Sequence, residues 1–138
     1  MSLLSAVSIS AAAMSVLTAC GGEVISVGEV TVLVSEPADG GMDALGGGRL
    51  EVVGGCLGAS GVVMIWPHGT KVVTEEPLTI DIPSHGTFAL GDDVQVVGGL
   101  VLEHSFADVE PGTYRAGGVD VPAECAKHDI WVANLSVS

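Results

Sequence analysis

"GEVTVLVSE", residues 28–36, reads as a β-strand. Val30, Val32 and Val34 fall on one parity, and Glu29, Thr31 and Ser35 on the other. Successive side chains of an extended chain point to opposite faces, so this spacing gathers the three valines on one side. Valine, stiff at its first torsion, fits a pleated surface well. The same alternation recurs outward from this stretch. In "LTIDIP", residues 78–83, Leu78, Ile80 and Ile82 face in while Thr79 and Asp81 face out. "TFAL" puts Phe88 and Leu90 on one side, and "DVQVV" does the same with Val94 and Val96. "VVMIW", residues 62–66, is a short apolar strand, and "DIWVANL", residues 129–135, is the last one. In "GRLEVVGGCL", Leu50, Val52 and Cys56 share a parity, which points Cys56 inward if the strand runs on through the two glycines.

The breaks are turn sequences: Pro67-His68-Gly69, Ser84-His85-Gly86 and Gly91-Asp92-Asp93. Gly54-Gly55 and Gly98-Gly99 lie in or beside strands, where bulges and corners use glycine. "EPADGGMDALGGG", residues 36–48, reads as a flexible connection, with the strand before it paired to the main body. No helical periodicity follows Cys20. Of 138 residues 48% are apolar, only 4% are aromatic and 20 are glycine, which suits a small all-β domain, a sandwich or a small barrel.

Charge excludes partners more sharply than it selects them. Seventeen acidic and four basic side chains give a formal net charge of −13. A field of that sign repels phosphate backbones and anionic lipid alike, so neither nucleic acid nor a polybasic membrane contact is expected.

The first acid is Glu23 and the first base Arg49, so residues 1–22 carry no charged side chain. Residues 3–19, "LLSAVSISAAAMSVLTA", are apolar or small throughout. That run is short for a bilayer span of about 20 residues but has the length of a signal-peptide core. It ends in Leu17-Thr18-Ala19-Cys20, which resembles the lipobox of bacterial lipoproteins. The resemblance implies a signal peptide over 1–19, cut before Cys20. It also implies a diacylglycerol group, carrying palmitate-type chains, on the Cys20 thiol, and an address on the extracytoplasmic face of a cell membrane. Two or three acyl chains give lasting attachment where one does not. Residues 20–22 then form a lipidated tether, and 23–138 a single domain.

The chain has three cysteines, an odd number that in an exported protein leaves a loose thiol. With Cys20 consumed by lipid, Cys56 and Cys125 remain as a pair, and an oxidising compartment favours a disulfide between them.

A second pattern covers residues 49–135. Gly55-Cys56-Leu57 is followed by Ile65-Trp66-Pro67 with Gly69-Thr70, and then by Gly91-Asp92-Asp93-Val94 with Gly98-Gly99. Val121-Pro122 with Cys125, then Ile130-Trp131-Val132 with Asn134, complete the order. This order resembles small secreted actinobacterial domains built as short, closed, antiparallel barrels of OB-like type. The resemblance implies a fold and a compartment, with no assigned activity.

Motifs that carry chemistry are missing. No Gly-x-Ser-x-Gly elbow, no phosphate-binding Gly-x-x-x-x-Gly-Lys, no Cys-x-x-Cys and no His-x-x-x-His pair occurs. His68 and His85 fall in turns, while His104 and His128 lie far apart in the chain. Glu75-Glu76 and Asp92-Asp93 are adjacent and diverge in a strand, so turn chemistry is the expected role of the aspartates. No catalytic residue, metal site or cofactor is expected. Trp66 and Trp131 are the candidate ligand-stacking side chains. The function expected is a non-enzymatic, membrane-anchored envelope module that binds a protein or glycan. The alternative is a small-ligand or cation carrier using a barrel mouth near Trp66, with acids at its rim.

Overall fold

The structure is a computed structural model that describes residues 14–19, 21–38, 41–104 and 114–134. The described residues form thirteen strands and no helix. In chain order these are β1 (Met14–Ala19), β2 (Gly22–Val27), β3 (Val30–Val34), β4 (Ala44–Val53), β5 (Cys56–Ala59), β6 (Val62–Trp66) and β7 (Lys71–Glu75). They continue with β8 (Leu78–Ile82), β9 (Gly86–Ala89), β10 (Asp93–Leu102), β11 (Arg115–Ala116), β12 (Val119–Asp120) and β13 (Ile130–Asn134).

The opening stretch is paired, as its valines require. β3 lies between β2 on one side and β5 and β6 on the other. The main sheet runs β1-β2-β3-β5-β4-β10-β13-β6, and β6 also pairs with β3 and β5. β7, β8 and β9 form a separate three-stranded meander, and β11 with β12 a two-stranded hairpin.

The structure departs from several sequence expectations. The pairing is not purely antiparallel: β13 runs parallel to β6, and β3 runs parallel to β5 and β6. Between β6 and β13 the chain builds β7 to β12, which gives the long crossover that parallel neighbours need. Period-two alternation looks the same in either direction, so it carries no signal for this. The connection expected over 36–48 ends at 43, because Ala44–Gly48 pair with β10 as the first half of β4. Residues 39–40 of that connection lie outside the described residues.

Cys56 does not continue the strand of Leu50 and Val52. Gly54 and Gly55 adopt φ of 57° and 86° and form the two-residue turn of the β4–β5 hairpin, with Val53 opposite Cys56. Two successive positive φ values match the twist of a hairpin and favour glycine. Leu50 and Cys56 consequently enter different cores, and Val52 is exposed.

Two apolar cores lie on opposite faces of β3, β5 and β6. One takes Val32, Val34, Leu57, Met64 and Trp66, with Leu78, Ile80 and Ile82 of β8 and Val94 and Val96 of β10. The other takes Leu33, Cys56, Val63, Ile65 and Ile130, with Val119, Val121 and Cys125. Strands covered on both faces read as near-continuous apolar runs, which is why "VVMIW" lacks alternation. Leu78, Ile80, Ile82, Val94 and Val96 face in as expected, and Phe88 packs against the first core, whereas Leu90 is exposed.

Candidate functional site

The disulfide holds the second core together. Cys56 and Cys125 are bonded, with Cα atoms 5.8 Å apart and no solvent exposure at either residue. The turn segment around Cys125, held by amides of Cys125 and Ala126 on the Pro122 carbonyl, is thereby fastened to the start of β5. Cys20, the expected lipid site, lies outside the described residues. The tether expected over 20–22 is shorter by one residue, because Gly22 already opens β2.

Trp66 is not a ligand platform. It is fully buried in the first core, and its Nε1–H donates to the Leu57 carbonyl at 3.3 Å. On β6 the side chains of Val62, Met64 and Trp66 share one face, so Trp66 sits two steps inward from Met64 and four from the strand's open end at Val62.

Trp131 stands at that open end. In register it lies beside Met64 of β6 and Leu100 of β10. Its ring rests on glycine backbone from two strands: a Cβ on Gly46 would lie 2.5 Å from Cζ2, and one on Gly98 would lie 2.7 Å from Nε1 and collide with the Val132 carbonyl. The indole, Leu100, Val62, Met64, Ala59 and Gly46 line a half-open hollow of about 160 Å³. Drug-sized ligands occupy roughly 300–1,000 Å³, whereas an apolar cavity of about 150 Å³ accepts benzene. The indole Nε1 is buried and has no acceptor among the described residues. A molecule in the cavity meets the apolar ring and not this N–H.

Gly98→Ala is expected to drive its methyl into the Val132 carbonyl and the indole. Because the closest colliding atom is the Val132 backbone carbonyl, relief requires strand movement, at a cost of about 1–3 kcal/mol. A lower urea midpoint at unchanged m, with altered Trp131 fluorescence, is the expected result. An unchanged midpoint contradicts this packing.

Two other hollows are more polar. One of about 230 Å³ is bordered by Ser35, Glu36, Pro37, His68 and Asn134. The other, about 380 Å³, is a shallow groove along Leu45–Gly48 and Asp93–Gln95.

Several titratable groups hydrogen-bond to backbone or side-chain partners. The His68 Nδ1–H donates to the Ser35 carbonyl at 3.2 Å and the His85 Nδ1–H to that of Pro83 at 3.0 Å. His104 donates from Nε2 to the His128 carbonyl at 3.1 Å, and its amide donates to the Asp129 carboxylate at 2.9 Å. Asp92 accepts from the Ala89 amide at 2.9 Å, the turn role expected for it. Asp93 opens β10, while Glu75 ends β7 and Glu76 enters the following turn. The Tyr114 hydroxyl donates to the Val101 carbonyl at 2.8 Å, and burial raises its pKa above the usual tyrosine value. Among the described residues no three His, Cys, Asp or Glu side chains gather as a metal site would require.

These features define a small all-β protein stapled by one disulfide, with a packed interior and one apolar mouth. Comparisons with protein-family models, curated proteins and solved structures find no match. The glycine floor under Trp131 escaped sequence reading. In the sequence Gly46 falls in the 36–48 connection and Gly98 at a bulge or corner of a strand. Only the cross-strand register brings both under an indole from a third strand.

Proposed function

We propose that this chain is a lipid-anchored lipoprotein on the extracytoplasmic face of a cell membrane, and that its folded body is a non-enzymatic interaction module of the envelope. The observation that supports this most is the Cys56–Cys125 bridge. Such bonds persist in oxidising compartments, and this one leaves Cys20 as the unpaired third cysteine, at the end of a charge-free apolar leader. Processing before Cys20 removes β1, after which β2 keeps β3 as its strand neighbour.

We read the body as a small closed barrel of OB-like type. The chain of pairings β3-β5-β4-β10-β13-β6 returns to β3, which supports this reading. Its interior is filled by Val32, Leu57, Met64 and Trp66, which favours binding on the outside over carriage within. Leu45, 69% exposed on β4, is the outward apolar side chain best placed to meet a partner. A photo-crosslinking residue at position 45, in cells that make the protein, is expected to yield discrete adducts with an envelope protein or glycan. The same residue at Val73, on the separate β7–β9 meander, is expected to yield none. Equal or absent labelling at the two positions overturns this assignment of the surface.

The mouth at Trp131 supports a second reading, the binding of a small apolar ligand. Benzene at millimolar concentration is the test. Saturable shifts confined to Trp131, Leu100 and Val62 support this reading, and their absence removes it.

A further inference from the structure

Lipoproteins can hang from a membrane on a slack polypeptide, or be held against it. We propose that this protein is held against it, with Gly21 and the exposed Glu36–Pro37 segment, which cover the β11–β12 turn, facing the lipid headgroups. The inference rests on the reading of Cys20 as the acylated residue and adds which surface meets the bilayer.

The geometry begins at Gly22. A Cβ there would lie 2.5 Å from the Gly118 carbonyl oxygen and 2.6 Å from Val119 Cγ2, so the strand is seated directly on the β11–β12 hairpin. Glu36 donates its amide to the Gly117 carbonyl at 2.7 Å, which fixes the same hairpin to the end of β3. Gly21 lies against the other member of this group, its Cβ position 3.0 Å from Glu36 Cβ and 3.7 Å from Pro37 Cδ. Gly21-Gly22, Glu36-Pro37 and Gly117-Gly118 therefore form one cluster, with Gly21, Glu36 and Pro37 on its exposed side.

Cys20 is covalently joined to Gly21. From the seated Gly22 it is two residues away, a reach of at most about 7 Å. A thiol-linked lipid at that distance leaves no slack for the domain to turn over. The far end of β2, at Val27 and the Gly28–Glu29 turn, lies five residues along the strand, about 17 Å away.

Charge sharpens the orientation. A body of net charge −13 is repelled by anionic headgroups, while the acyl chains hold it by burial of methylenes. Repulsion acts on the whole body and attachment acts at one point. Contact is thus confined to the end that carries the anchor.

The test uses the lipidated mature protein, purified from membranes and placed in phosphatidylcholine nanodiscs containing a gadolinium-chelating lipid. Amide signals of Gly22, Glu36 and Gly118 are expected to broaden several-fold more than those of Gly28 and Glu29. Inserting about twelve Gly/Ser residues between Gly21 and Gly22, a coil of roughly 19 Å r.m.s., is expected to erase that difference. Mass spectrometry of the same sample separates the two ways of being wrong. An acylated Cys20 peptide with even broadening, or stronger broadening at Gly28 and Glu29, overturns the orientation alone. A sample without acylated Cys20 overturns the anchor and the orientation together.

Discussion

Replacing both Cys56 and Cys125 by alanine is expected to cost this protein about 4 kcal/mol of stability. The bridge spans a sequence separation of 69, and the chain-entropy model for a loop of that length gives this figure. Such a cost is a large share of the 5–15 kcal/mol typical of a domain. For a body of this size it corresponds to a fall in melting temperature of roughly 15 °C. The double substitution avoids stranding one thiol in a core where neither cysteine is exposed. The loss is expected to fall first on the Pro122–Ala126 turn and on Val119 and Val121, which the bridge binds to the second core. Urea unfolding of the two forms checks the magnitude, and the intact mass of the native form should be about 2 Da below its reduced mass. Rapid alkylation of both cysteines in the native, unreduced protein would falsify the bridge.

Cys20→Ser is expected to abolish lipid labelling altogether and move the protein from the membrane fraction to the soluble one. The effect is all-or-none because attachment depends on acyl chains at one thiol: two or three hold, and an unacylated acidic body has nothing to hold with. The Cys56–Cys125 bridge does not involve this residue, so the released protein should keep its 2 Da mass deficit and its melting temperature. That control separates loss of the anchor from loss of the fold. Palmitate incorporation that survives the substitution, or a mature protein that still begins at Met1, sinks the proposal.

Much of the architecture was legible because burial leaves a period in the sequence. The alternation of Val30, Val32 and Val34 survives in the first core, as does that of Leu78, Ile80 and Ile82. Where strands are covered on both faces the period vanishes, yet "VVMIW" remained legible as a short apolar run between turn residues. The misreadings cluster at glycines. Gly54-Gly55 could stand in a continuous strand or turn a hairpin, and the choice reverses the face of Cys56. Gly46–Gly48 resembled a loop because three successive glycines offer no side chain whose parity could be read.

The candidate site was half legible. Trp66 and Trp131 are the same residue type, each in a short apolar segment, and both were candidates to stack a ligand. Burial alone separates them. Trp66 follows Met64 inward on β6 and bonds its N–H to Leu57, while Trp131 lies across the glycines of β4 and β10 at the mouth.

The sequence by itself determined the all-β class, the acidity and several turns, such as Pro67-His68-Gly69, because each depends on local chemistry or on composition, and the lipobox resemblance pointed to the pairing of Cys56 with Cys125. Only the tertiary structure decided strand direction, the two separate cores, which indole is accessible, and the seat of Gly22 on Gly118. These depend on contacts between residues far apart in the chain, and such contacts are selected by packing of the whole body and leave no local period to read.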